Sequence, residues 1–114
     1  MLIKKEIAES FSISGGTNGA IYPSSPKGDQ TIAIVWMDGA YPEMGYSLND
    51  LCTETIFLLE GKFELEADGK KYQLESGDLF MILPGTKYRI FGKGKAIDFI
   101  SPAWDKSQNH LIEK

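Results

Sequence analysis

The stretch "GDLFMILPGTKY", residues 77–88, joins a glycine, a short apolar run, a Pro-Gly turn and a tyrosine. The run from Leu79 to Leu83 is too short for a helix and is punctuated at both ends, so it reads as a buried strand turning at Pro84-Gly85. Tyr88, beyond the turn, either lines a cavity or fills a core. Just upstream, "KFELEADGKKYQLES" sets Phe63 and Leu65 against Glu64 and Glu66, turns at Asp68-Gly69, and resumes with Tyr72 and Leu74 against Lys71 and Gln73. That alternation around an Asp-Gly pair specifies a tight β-hairpin.

Further out, "TIAIVWMD" (31–38) and "TETIFLLE" (53–60) are rich in β-branched and apolar residues, read as strands, the first buried on both faces. "YRIFG" and "KAIDFISP" continue the series of short runs at roughly ten-residue spacing, the pattern of an all-β sandwich or barrel. Residues 1–30 read as an N-terminal strand and loop segment packed on a barrel core at 31–101, with "SISGGTNGAIYPSSPKGDQ" a loop around at most one short strand. The "GGTNG" piece lacks the strand-to-helix setting of a nucleotide loop and reads as a flexible connection. The tail, 102–114, offers one short helical turn, capped by Asp105 with Gln108 in the capping-box position.

The 114 residues are the size of one domain. A net charge of −4 and a pI near 4.9 argue against nucleic acid, because phosphate binding needs clustered Lys and Arg and the runs "LIKKE" and "GKGK" are short. No apolar run reaches bilayer or signal-peptide length, and the single Cys52 can form no intramolecular disulfide; the expectation is a cytoplasmic protein without membrane contact.

Two motifs flank the hairpin: "ETIFLLEG", a glutamate, six residues and a glycine from Glu54 to Gly61, and "GDLFMILPGTKY". Together they resemble the paired motifs of the cupins, small barrels of jelly-roll type, over roughly residues 31–101. Metal-binding cupins place two histidines ahead of the glutamate and one at the end of the second motif. Counting back from Glu54, those positions fall here on Leu48 and Asp50, or on Ser47 and Asn49 if the spacing is one longer, and Tyr88 takes the last. The resemblance therefore implies a cupin without the family's imidazoles, and the expectation is no metal and no cofactor, since oxygen-rich sites hold transition metals less well.

Strand alternation would turn Asp50, Cys52 and Glu54 to one face, with Tyr88 opposite, and these four are the candidate ligand-binding set. Glu54 and Tyr88 are the catalytic candidates: a carboxylate in an apolar strand has its pKa raised by burial, and a phenol across from it can orient a ligand or donate a proton. Each also has a plain structural reading, Glu54 as a rim glutamate and Tyr88 as core filling; Asp50 fits turn chemistry and Cys52 a small buried hydrophobe. His110 lies in the polar tail and reads as solvated surface. Trp36, Met37, Met44, Tyr46, Phe80 and Ile82 are assigned to core or cavity wall.

The function expected is binding of a small polar organic molecule in the barrel. Two alternatives stand beside it: a metal-dependent dioxygenase or isomerase using Asp50, Glu54 and Tyr88, and a structural or regulatory dimer with a filled barrel. Because several strands are apolar on both faces, a homodimer is expected to cover the outer one.

Overall fold

A computed structural model describes residues 1–113. The chain is all-β, with strands β1 (Glu9–Ile13), β2 (Thr17–Ile21), β3 (Thr31–Tyr41), β4 (Tyr46–Asn49), β5 (Thr53–Ala67), β6 (Lys70–Glu75), β7 (Leu79–Ile82), β8 (Tyr88–Ser101) and β9 (Asn109–Ile112). Its helical content among the described residues is two 3-10 turns, Lys5–Ile7 and Lys106–Gln108. All pairings are antiparallel, in the order β1-β2-β3-β8-β4-β9, with β5 bonded to β6, β7 and β8.

The long strands β5 and β8 run side by side along their lengths, and β8 also pairs with β3 from Thr31↔Ile100 to Tyr41↔Ile90. Such strands must bend to close a barrel, and the bend is set by Gly61 and Gly92. Both have positive φ, +97° and +137°, and a Cβ would lie 2.1 Å from the Lys93 carbonyl oxygen or 2.2 Å from that of Lys62. Only glycine lets the backbones cross so closely. A bulge between Leu58 and Glu60 sharpens the same corner.

The Asp68-Gly69 hairpin forms as the alternation predicts, with Ala67 opposite Lys70 and positive φ at both turn residues. Asp68 also ties this tip to the entrance of β8: its N–H donates to the Lys87 carbonyl at 2.8 Å, and its Oδ1 accepts from the Lys87 N–H at 3.0 Å. Tyr88 follows directly, so the hairpin fixes where that tyrosine enters the barrel. On the other side, the Gly85 N–H donates to the Asn49 carbonyl at 2.8 Å and anchors the Pro-Gly turn on β4.

The core is the inward face of this curled sheet, built around Met37, Ile56, Leu58, Phe63, Leu65, Leu74, Ile82, Tyr88, Ile90 and Ala96. The outward face departs from the sequence reading. Strand β3 is buried on one face only, with Ile32 and Trp36 exposed on the other, and β7 likewise exposes Leu79 and Met81 while burying Ile82. Trp36 and Met44 are accordingly surface residues rather than core or cavity wall. The N-terminal stretch read as loop is a hairpin whose second strand pairs with β3, and the "GGTNG" piece is its turn and the start of β2. The tail makes the expected turn, with Asp105 Oδ1 accepting from the Ser107 N–H at 3.0 Å, then adds the unforeseen strand β9 against β4.

Candidate functional site

The barrel is open rather than filled. It encloses a cavity of about 590 Å³ with mostly apolar walls, including Phe11, Val35, Met37, Ile56, Phe63 and Ile90. Exposed Glu9 and Lys106 mark its rim. A polar cluster interrupts the walls at one end, with Glu54 from β5, Tyr88 and Asp98 from β8, and Tyr41 from β3.

Glu54 is the centre of the cluster and is only 6% exposed. Its Oε1 accepts from Asn49 Nδ2 at 2.7 Å and from the Tyr88 hydroxyl at 3.2 Å. The Asp98 carboxyl stands beside it on the cavity wall. Strand register explains the meeting: Glu54 stands opposite Ile100 and Asp98 opposite Ile56, so the two carboxyls are diagonal neighbours across β5 and β8 on the inward face. Burial, then the Glu54 charge, push the Asp98 pKa well above the usual aspartate range.

Tyr88 answers to both sequence readings at once. Its ring is part of the buried cluster, 6.3 Å from that of Tyr41, while its hydroxyl reaches Glu54 at the cavity wall. Burial, followed by the charge of Glu54 and the neighbouring Tyr41, raises its pKa well above the ordinary phenol value. It therefore stays a hydrogen-bond donor. The Tyr41 hydroxyl lies 3.4 Å from Ser47 Oγ, and its pKa is raised chiefly by burial.

Behind this wall a second layer holds Asn49 in place. Asn49 Oδ1 accepts from Gln108 Nε2 at 3.1 Å and from Asn109 Nδ2 at 2.9 Å. Gln108 does not serve a capping box; its Oε1 instead faces the N–H groups of Leu51 and Cys52, each at 3.3 Å.

Two of the four candidate ligand-binding residues, Glu54 and Tyr88, meet at the cavity, and the other two do not. Alternation fails before Glu54 because the strand does not run through it: β4 ends at Asn49, the chain bends, and β5 starts at Thr53. Asp50 consequently points outward, its Oδ2 2.6 Å from Nε2 of His110 on β9, and His110 lies at the exposed surface as read, paired there with Asp50. Cys52 is fully buried but lies outside the cavity lining, and burial, then the Glu54 and Asp98 charges, push its thiol up to about 12. A thiol so placed is not a nucleophile.

The longer of the two spacings puts the family's histidine positions on Ser47 and Asn49, and it is these that face inward, fully buried. Among the described residues no set of three or more His, Cys, Asp or Glu is arranged to hold a metal ion. Serine, asparagine and tyrosine at those three positions do not fit the imidazole site of metal-binding cupins. Asp98 escaped the sequence reading, although an acidic residue within the apolar run "KAIDFISP" carries the same signal that drew attention to Glu54.

Residues 48–99 match the family model described as the cupin domain. No curated protein matches the chain. Among solved structures, Pac13, described as a unique nucleoside dehydratase, superposes with a TM-score of 0.88 at 16% identity, covering 99% of this chain and 91% of that one. A variant of Pac13 from Streptomyces solved with uridine gives 0.86 at 17%, covering 99% and 93%. KdgF from Halomonas sp. gives 0.75 at 20%, covering 94% and 97%. At these identities the likeness establishes the fold.

Proposed function

We propose that this protein, a small single-domain cupin of jelly-roll form, binds a small, hydroxyl-bearing organic molecule in its barrel and acts on it by proton transfer without a catalytic metal. The observation that carries this reading is the open cavity whose apolar walls are broken by a cluster of Glu54, Asp98, Tyr88 and Tyr41. A concave, mainly apolar site with a few convergent polar groups is the usual form of a small-molecule pocket. Carboxyl groups and phenols can exchange protons with a ligand hydroxyl, and Glu54 and Tyr88 are the catalytic residues of the proposal.

The likeness to Pac13, a nucleoside dehydratase, supports nucleosides as a ligand class and elimination of water as a reaction class. In such a step a base takes a carbon-bound proton while an acid protonates the departing hydroxyl, which leaves as water. Half-buried Phe11 and Trp104 line the cavity and offer a flat ring apolar contact, while the polar cluster lies deeper. The single unpaired Cys52 supports a reducing, cytoplasmic setting; no helix among the described residues is long and apolar enough to cross a membrane.

The test is calorimetric titration with a panel of uridine, other nucleosides and free pentoses, repeated on Glu54→Gln and Tyr88→Phe. Saturable binding by the parent and loss of about tenfold or more in both variants is expected. A panel that never binds, or binding indifferent to both variants, overturns the proposal. Elemental analysis of protein purified without added metal is expected to give well below one equivalent of iron, manganese, zinc or nickel. Stoichiometric metal lost on Glu54→Gln would restore the metal-dependent alternative.

A further inference from the structure

Two buried polar side-chain atoms lack a hydrogen-bond partner among the described residues, Thr17 Oγ1 and Asp98 Oδ1, and both belong to cavity-lining residues. Buried polar atoms are rarely left unpartnered, because each costs about 1–3 kcal/mol when desolvated without a bond. Both residues line one open cavity, where a polar ligand can meet their side chains. Thr17 joins beside Met37 and Asp98 stands opposite Ala33, so about 13 Å of β3 separates their registers and the two mark different ends of the space.

At the Asp98 end the chemistry is specific. Two carboxyl groups set diagonally on one inward face repel each other as carboxylates and can bond only through a proton held between them, since two carboxylates offer only acceptors. The groups facing the pair are Tyr88 on β8, Tyr41 on β3, Asn49 at the end of β4 and the thiol of Cys52 ahead of β5; none is a cation. The one basic residue lining the cavity, Lys106, sits exposed at the rim with Glu9.

We infer that Glu54 and Asp98 share one proton, and that Asp98, which lines the cavity, is a substrate-contacting residue whose carboxyl accepts a hydrogen bond from an uncharged hydroxyl of the ligand. This inference deepens the proposed small-molecule reading and rests on it. An acceptor beside a pair already carrying negative charge suits a hydroxyl donor and opposes a carboxylate or phosphate at the same place. Asp98 is thereby both the proton reservoir of the site and the group that selects neutral ligands. Thr17, able to donate or accept, meets the opposite end.

The experiment follows the Asp98 side-chain carboxyl carbon by NMR across a pH series in uniformly labelled, ligand-free protein. The resonance is expected to keep its protonated position through neutral pH and to titrate at lower pH once Glu54→Gln removes the neighbouring charge. Titration of the parent in the ordinary aspartate range, near about 3.9, overturns the shared proton. That measurement needs no ligand, and the parent titration decides the matter even if the variant does not fold. It separates this inference from the binding proposal, which fails if the titration panel does not bind or if binding is indifferent to Glu54→Gln and Tyr88→Phe. For ligand selection, uridine is compared with the derivative whose terminal hydroxymethyl is oxidised to a carboxylate. The acid is expected to bind at least about tenfold more weakly at neutral pH, and equal or tighter binding of the acid overturns the selectivity.

Discussion

Asp98 makes stability depend on pH in a direction opposite to that of a salt-bridged aspartate. Burial and then Glu54 raise its folded-state pKa above the unfolded value of about 3.9, so above that value the folded chain holds a proton that the unfolded chain releases. Its stabilising contribution is therefore complete below about pH 4 and lost as pH rises through the folded-state pKa. Asp98→Asn, which keeps the shape and never ionises, should gain on the parent as pH climbs from about 4; melting temperatures across a pH series will show it, and a constant difference counts against it. Tyr88→Phe is expected to cost about 1 kcal/mol of stability, the usual worth of one hydrogen bond, while ligand binding falls by a larger factor. Large loss of melting temperature with unchanged ligand response would assign the tyrosine to packing alone. Glu54 was legible because it interrupts an apolar run inside a recognisable motif. Asp98 sends the same signal from a strand with no motif around it, and Asp50 misled because parity counting assumes an unbroken strand where the chain bends at residues 50–52.

At the scale of elements, the central strands and the Asp68-Gly69 hairpin could be read because local pattern and turn chemistry agree there. Strands β4 and β9 could not. They are short, polar and stabilised by each other across the chain, from Tyr46↔Ile112 to Asn49↔Asn109, a pairing that no local window contains. The N-terminal hairpin was hidden by its Gly-rich turn and small residues, which mimic loop composition. The barrel corner gives a sharp test of the fold. Gly61→Ala and Gly92→Ala each force a Cβ onto a facing carbonyl at a positive φ, and each is expected to lower stability by about 1–3 kcal/mol or more. Chemical denaturation measures this, and Gly69→Ala provides a comparison, since its Cβ would meet nothing within 4 Å and only the backbone preference is lost. Equal effects at all three positions would deny the close crossing at the corner.

For the whole molecule, the exposed outer face matters most. Register aligns Ile32, Phe99, Thr55 and Met81 in one row across β3, β8, β5 and β7, and Ile34, Ile97, Phe57 and Leu79 in the next. Two adjacent rows of mainly apolar side chains make a flat patch of the kind that soluble proteins cover, and we propose that a second copy covers it by two-fold pairing. Light scattering coupled to size exclusion should give a dimer mass, and Phe57→Glu with Met81→Glu should shift it to monomer without disturbing the cavity, which lies on the other face. A monomer for the parent at all micromolar concentrations would refute the pairing.

The clamp from Gln108 onto Asn49 also makes the tail a separable part of the fold. The partners in that clamp lie 59 positions apart. The pairings of β5 with β6, β7 and β8 use neither Gln108 nor Asn109. The tail thus props the polar wall of the cavity from behind without entering the pairing that builds the apolar walls. A chain released at Asp105 would keep most of its hydrophobic shell yet carry a loosened Asn49 and, through it, a wandering Glu54: a folded vessel with an unassembled working part.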